Sequence, residues 1–228
     1  MLKNEKNNLK IGKLINMCYL KIKRAIDITM SILALIILSP VFFILIIAIK
    51  IESPGDAFFK QKRFGIHKSY FNILKFRTMR IEAPKNMPTH LLDEPDKWVT
   101  RLGGFLRKTS LDELPQIINI LKGEMSMIGP RPVLWNEYNL IKERDKYNAN
   151  DIPVGLTGWA QIHGRDELSA ETKATLDGEY VEKIGFMMDV RCFFSTIIYV
   201  LKREGIVDGN TVVSKSNPMI SKTKIVMK

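Results

Sequence analysis

From Ile28 to Ile51 the chain reads ITMSILALIILSPVFFILIIAIKI, with no charge before Lys50. A run of about twenty apolar residues meets the length of a membrane helix. A chain of 228 residues seldom encloses an element that is apolar all round. The chain is therefore expected to touch a membrane. A cleaved signal peptide fits worse, because the block starts late and no small-residue cleavage pattern follows it.

The flanks of the block say how it should sit. Lys21, Lys23 and Arg24 precede it; Lys50, Lys60, Lys62 and Arg63 follow. A spanning helix carries its basic excess on the cytoplasmic side only, whereas both ends here ask to stay inside. Ser39-Pro40 lies at the midpoint, where proline removes a backbone donor and bends a helix. Each arm, 28–38 and 41–51, is about eleven residues or 16 Å long, half of a ~30 Å hydrocarbon core. A re-entrant helix–break–helix is expected, entering and leaving by one face, with the Ser39 hydroxyl returned to a freed carbonyl. A kinked helix that spans is the competing arrangement. Asp27 stands at the mouth of the block, and Lys23 or Arg24 is expected to neutralise it. That group reads as an interfacial ion pair, or as a cluster that sets insertion depth or meets a lipid phosphate.

The remainder has the composition of a globular domain, at 46% hydrophobic and 26% charged. Residues 1–22 read as an Asn- and Lys-rich lead-in, 23–51 as the membrane element, 52–205 as a cytosolic domain and 206–228 as a loose tail. Two aromatic, alternating segments, AFFKQKRFG and KSYFNILKFRTM, predict a small β-hairpin around Gly65–Lys68. Helices are expected at 110–122, 133–146, 168–183 and 189–203, and a loop at 82–96. The fold class is mostly α with a small hairpin, α+β. The segment from Asp189 through Arg203 is a basic amphipath that packs on its own domain or lies in the membrane interface.

Lys and Arg total 35 against 24 Asp and Glu, a net charge of +11, which implies an anionic partner. The two cysteines, Cys18 and Cys192, exclude a disulfide framework and a cysteine-rich zinc site and favour a reducing compartment. The stretch from Arg101 to Pro132, RLGGFLRKTSLDELPQIINILKGEMSMIGPRP, carries the chemistry. Ser110 and Glu113 have capping-box spacing, but Pro115 would then lack a donor the helix requires. A start near Asp112 puts Pro115 in the first turn, where no donor is missed. Asp112 and Glu113 then stand at a helix N-terminus. Adjacent carboxylates repel unless a cation or proton separates them, and Mg2+ shared with substrate phosphates would satisfy the pair. Lys75, Arg77, Arg101, Arg107 and Arg131 supply positive charge for a diphosphate, with Arg131 restrained between Pro130 and Pro132. Metal-assisted phosphoryl transfer at a membrane surface is the chemistry this suggests. His67, His90 and His163 are scattered and receive no role. Trp98, Trp135 and Trp159 read as packing residues.

These segments resemble the monotopic phosphoglycosyl transferases, the bacterial sugar transferases. The matching residues are Lys23-Arg24-x-x-Asp27, Ser39-Pro40, Lys75-Phe-Arg-Thr-Met79, Thr109-Ser-Leu-Asp-Glu-Leu-Pro-Gln116, Lys122-Gly-Glu-Met-Ser126, Ile128-Gly-Pro-Arg-Pro132 and Leu156-Thr-Gly-Trp-Ala-Gln161 with Gly164-Arg165. They cover roughly residues 20–205 in the family's order. The resemblance implies a minimal single-domain enzyme on the cytoplasmic face of a bacterial inner membrane, with interfacial amphipathic helices beside the re-entrant one. It would move a sugar-1-phosphate from a UDP-sugar to undecaprenyl phosphate and release UMP, opening the assembly of a surface glycan. Asp112 would be the nucleophile, forming an aspartyl-phosphosugar beside Mg2+, and Glu113 would handle a proton or position the metal and acceptor. Gln161 and Arg165 join the substrate-binding set, and Trp159 falls in a motif that lines the site. Membrane lipid is an expected partner and nucleic acid is not; a homodimer is left open.

There are departures from the family pattern. Ile152-Pro-Val-Gly155 omits a base and displaces a proline, Gly104 replaces a frequent Arg or Lys, and Phe43 stands near a missing second proline. None touches the acidic pair. Two other functions remain alongside, a basic membrane-tethered scaffold and a metal-dependent phosphohydrolase with water as acceptor.

Overall fold

The computed structural model describes residues 2–84, 95–164 and 168–202. The apolar block lies in a single helix, α1 (Leu2–Glu52), that runs through Pro40. The Ser39-Pro40 pair does not end the helix, and the lead-in is its first part. Proline removes one donor, leaving the carbonyl four residues back unpaired. That carbonyl belongs to Ile36, and the Ser39 hydroxyl donates to it at 2.8 Å. The Ser-Pro pair therefore repairs the hydrogen bond that it breaks. Ile36, Ile37, Phe43 and Ile44 are more than 60% exposed, so the middle of α1 has no protein cover. By length and composition it is the one helix among the described residues able to cross a membrane.

The two ends of the block are covered. Leu45 and Ile49 pack with Ala57, Phe76 and Leu106. At the other end the charged motif turns inward, and here an expectation is corrected: Asp27 is not neutralised by Lys23 or Arg24. Lys23 pairs with Asp189, Arg24 donates to the Ile120 and Leu121 carbonyls, and Asp27 accepts from the Met127 N–H at 2.9 Å. Each charge finds its partner on the folded domain rather than along the helix.

The hairpin is β1 (Phe58–Phe64) and β2 (Tyr70–Phe76), antiparallel with Phe59 opposite Lys75 and Phe64 opposite Tyr70. Phe71 and Ile73 face Ile120, Met125 and Val154, so strand alternation buries one side of β2. A short helix, α2 (Pro95–Trp98), leads into α3 (Arg101–Lys108), which the expected elements omitted. Its N-cap is Thr100, whose hydroxyl accepts from Gly103 N–H. A Cβ on Gly103 would lie 2.0 Å from the Thr78 carbonyl oxygen, so only glycine lets α3 approach the end of β2.

The expected helix at 110–122 is a 3-10 turn, Leu111–Glu113, followed by α4 (Gln116–Lys122). Ser110 makes no capping bond and adopts a left-handed conformation; Pro115 is the N-cap of α4, where its missing donor costs nothing. Gly123, at φ +88°, ends α4 against the Arg24 guanidinium. Two three-residue strands, β3 (Ser126–Ile128) and β4 (Gly155–Thr157), pair in parallel. Between them α5 (Tyr138–Asp145) is shorter than expected. Helices α6 (Ala170–Glu182) and α7 (Phe186–Lys202) close the described chain close to their expected positions. Phe186, Met187, Phe193, Phe194, Ile197 and Ile198 leave α7 with an exposed apolar face. Most of the expected 82–96 loop, and the tail at 206–228, lie outside the described residues.

Candidate active site

Asp112 and Glu113 sit on the 3-10 turn between α3 and α4, both buried. The turn is set by its neighbours in sequence: left-handed Ser110 reverses the chain, and Pro115 starts the next helix. Asn119 then fixes α4 to β2. Its side chain accepts from Leu74 N–H at 2.9 Å and donates to the Asn72 carbonyl at 2.8 Å, imitating a neighbouring strand. That contact locks the acidic turn against the strand that carries Lys75.

Lys75 Nζ lies 2.8 Å from Glu113 Oε1 and 3.8 Å from Asp112 Oδ2. Arg131 Nη2 donates to the same Glu113 oxygen at 2.8 Å. Glu113 is therefore held by two cations, while the contact to Asp112 is long. Burial raises the Asp112 pKa above its ordinary value, and the charge of Glu113 adds to this; Lys75, then Arg107 and Arg131, oppose it. Burial is the largest cause, so the carboxyl stays above the usual range despite three cations.

The other residues expected at the site divide. Arg107 Nε donates to Thr78 Oγ1 at 2.9 Å, and its charge reaches Asp112. Arg77 is buried and spends its guanidinium on the Ser53 and Pro54 carbonyls and the Ser53 hydroxyl. It therefore closes the chain end of α1 and does not join the acidic turn. Arg101 is exposed at the start of α3 and lines a cleft of about 430 Å³ with Glu52, Ser53, Pro54 and Arg80; Asp112 and Glu113 do not line it. Gln161 donates to the Leu156 carbonyl at 3.0 Å, and its buried oxygen, without a partner, lies by Gly158, which abuts Gly129. Trp159 donates to Glu179 at 3.0 Å. Arg165 lies outside the described residues. Thr78, Asn119 and Arg144 support the site and were not singled out by the sequence; a buried polar residue in an apolar helix, as Asn119 is in QIINILK, was the available signal.

Among the described residues no group of three or more His, Cys, Asp or Glu could hold a metal. The protein thus offers two hard carboxylates, with Glu113 already committed to Lys75 and Arg131. That set suits Mg2+ only when substrate oxygens complete its shell. A pair of acids ringed by Lys75, Arg107 and Arg131 is suited to a group that is both anionic and electrophilic, such as a diphosphate.

The model of the bacterial sugar transferase family matches residues 18–203. The chain is 39% identical over 194 residues to EpsL of Bacillus subtilis, an uncharacterized sugar transferase, covering 85% of this chain and 94% of that one. It is 38% identical over 183 residues to the UDP-glucose:undecaprenyl-phosphate glucose-1-phosphate transferase of Escherichia coli, covering 77% of this chain and 39% of that one. It is 36% identical over 197 residues to the exopolysaccharide production protein ExoY of Sinorhizobium fredii, covering 80% and 87%. The chain spans only about two fifths of some relatives, including 42% of an uncharacterized sugar transferase from Haemophilus influenzae. With the family match running from residue 18, within α1, to the end of α7, this chain belongs to the bacterial sugar transferase family.

Proposed function

We propose that this chain transfers a sugar-1-phosphate from a UDP-sugar to undecaprenyl phosphate, with release of UMP, in the synthesis of an extracellular polysaccharide. The observation that carries the reading is the unequal treatment of two adjacent buried acids. Glu113 is ion-paired at 2.8 Å on one oxygen by both Lys75 and Arg131, whereas the pairing of Asp112 with Lys75 is longer, at 3.8 Å. One acid is anchored and the other is available to attack.

In the first step an Asp112 oxygen bonds to the sugar-bearing phosphorus, and the phosphoanhydride bond to UMP breaks. UMP leaves with the bond's electron pair. In the second, a phosphate oxygen of the polyprenyl acceptor bonds to that phosphorus and the Asp112 carboxylate is expelled. Covalent catalysis divides one hard displacement into two easier ones. Lys75, Arg107 and Arg131 hold the phosphate oxygens while charge develops. Glu113 fixes Lys75 and Arg131 in place. Mg2+ bound by Asp112 and the substrate phosphates would supply charge neutralisation and help UMP leave.

Membrane placement follows the same reading. Positions 27 and 49 of α1 are about 33 Å apart along a straight helix, yet both dock on the same folded domain. A helix crossing a ~30 Å core would deliver them to opposite faces, so the contacts support a seat in which both ends of the block stay on one face; the Lys and Arg flanks favour the cytoplasmic one. The exposed apolar face of α7 suits an interfacial helix.

The test is UMP release from UDP-sugars with undecaprenyl phosphate and Mg2+. Asp112→Asn is expected to abolish turnover and Glu113→Gln to reduce it at least about a hundredfold. Mass spectrometry of the intact chain given donor alone should find the phosphosugar on Asp112. Substantial turnover by Asp112→Asn, or repeated turnovers of UMP release by the parent without polyprenyl phosphate, beyond the single equivalent that forms the adduct, would overturn the reading.

A further inference from the structure

The loop that presents Arg131 is held by its carbonyls. Gly155 N–H donates to the Pro130 oxygen at 2.8 Å, and Arg63 Nη1 to the Pro132 oxygen at 3.2 Å. Between them, Arg144 Nη1 donates to the Arg131 oxygen at 3.0 Å. Arg144 comes from α5 and is itself gripped from α6. Its Nε and Nη2 each lie 2.7 Å from Asp177 Oδ2, with the two side chains 3% and 1% exposed.

A buried ion pair is weak ground for stability, because desolvation offsets most of the attraction. What this pair provides is direction. Two nitrogens of the planar fork are fixed by Asp177, so the third points along a set line to the Arg131 main chain. The prolines on either side of Arg131 limit how that main chain can otherwise turn. The guanidinium of Arg131 then reaches Glu113 at 2.8 Å.

We infer that Arg144, oriented by Asp177, is a positioning residue that sets the Arg131 backbone so that its guanidinium meets Glu113 at the reaction centre. This rests on the reading of Arg131 and Glu113 as site residues. Arg144 bonds to Asp177 and to the Arg131 carbonyl rather than to the acidic turn, so its influence on turnover passes through Arg131. A lysine at 144 would retain a charge for Asp177 but has one nitrogen and no fork.

The experiment is a double-mutant cycle on the full chain in membranes, with Arg144→Lys, Arg131→Ala and the pair together. The donor is whichever of UDP-glucose, UDP-galactose and UDP-N-acetylglucosamine the parent turns over, and kcat and KM are read separately beside thermal unfolding. Arg144→Lys is expected to lower kcat/KM by about tenfold, within what a small misplacement costs, while unfolding cooperatively near the parent's temperature. In the Arg131→Ala background the same change should have no further effect. Should Arg144→Lys fail to fold, Asp177→Glu replaces it in the cycle, keeping the charge but moving the fork by one methylene. Losses that multiply independently would overturn the positioning role and leave the site reading intact. Full activity of Arg131→Ala would overturn the role of Arg131, and this inference with it.

Discussion

Asp112 has surroundings that pull in both directions. Its pKa is raised by burial first and by Glu113 as well, against the lowering charges of Lys75, Arg107 and Arg131. The attacking form is the carboxylate, so activity must rise with pH as this raised group loses its proton. The acid limb of kcat/KM is expected above the ordinary aspartate pKa of about 4. Lys75 is the largest lowering influence, and Lys75→Met should move that limb to higher pH as well as slow turnover. A pH profile with an unmoved limb would separate Lys75 from Asp112. At this scale the sequence was informative about acids and ambiguous about bases. Two adjacent acids can be read directly, whereas Arg77 and Arg131 look alike in a sequence. They part in the fold, because β2 ends beside the chain end of α1 and gives Arg77 the Ser53 and Pro54 carbonyls to satisfy.

Elements are joined here by side chains that substitute for backbone. Asn119 completes the edge of β2, and Asn119→Ala would remove the partner of the Leu74 N–H and the Asn72 carbonyl, both part-buried contacts. The expected cost is about 1–3 kcal/mol, or a fall of several degrees in the unfolding temperature, with the acidic turn loosened at the same time. Gly103 allows α3 to contact the Thr78 carbonyl at a distance no Cβ tolerates. Gly103→Ala should therefore destabilise by about 1–3 kcal/mol and weaken the Arg107–Thr78 contact, which scanning calorimetry and kinetics would register together. Ser39→Ala removes the donor to Ile36 and is expected to lower the yield of membrane-seated protein, measured by fractionation. The hairpin and the two last helices were legible because alternation and periodicity extend over many residues. The strands β3 and β4 were not, since three residues each carry no period, and α3 was hidden by two glycines in its first turn.

For the whole molecule, the arrangement of α1 against the domain makes a topological prediction. In a Cys18→Ser background, where the remaining Cys192 is buried, cysteines introduced one at a time at Lys21 and Lys60, both exposed, should resist an impermeant maleimide added to intact cells. Both should react in inverted vesicles. Labelling of one alone from outside would establish a spanning helix. The residue types fixed much of this in advance: a block that only lipid can cover, an acidic pair that needs a cation, and an excess of positive charge that needs an anion. Those follow from local composition and short-range spacing, which folding does not alter. Which partner each charge takes was decided only in three dimensions. Lys23 and Asp27 are spaced to pair along one helix turn, but the domain offered Asp189 and the Met127 N–H instead, and Arg144 gained its place beside Arg131 from helices remote in sequence. Contacts between distant segments depend on how elements pack, and a linear pattern holds no record of that packing.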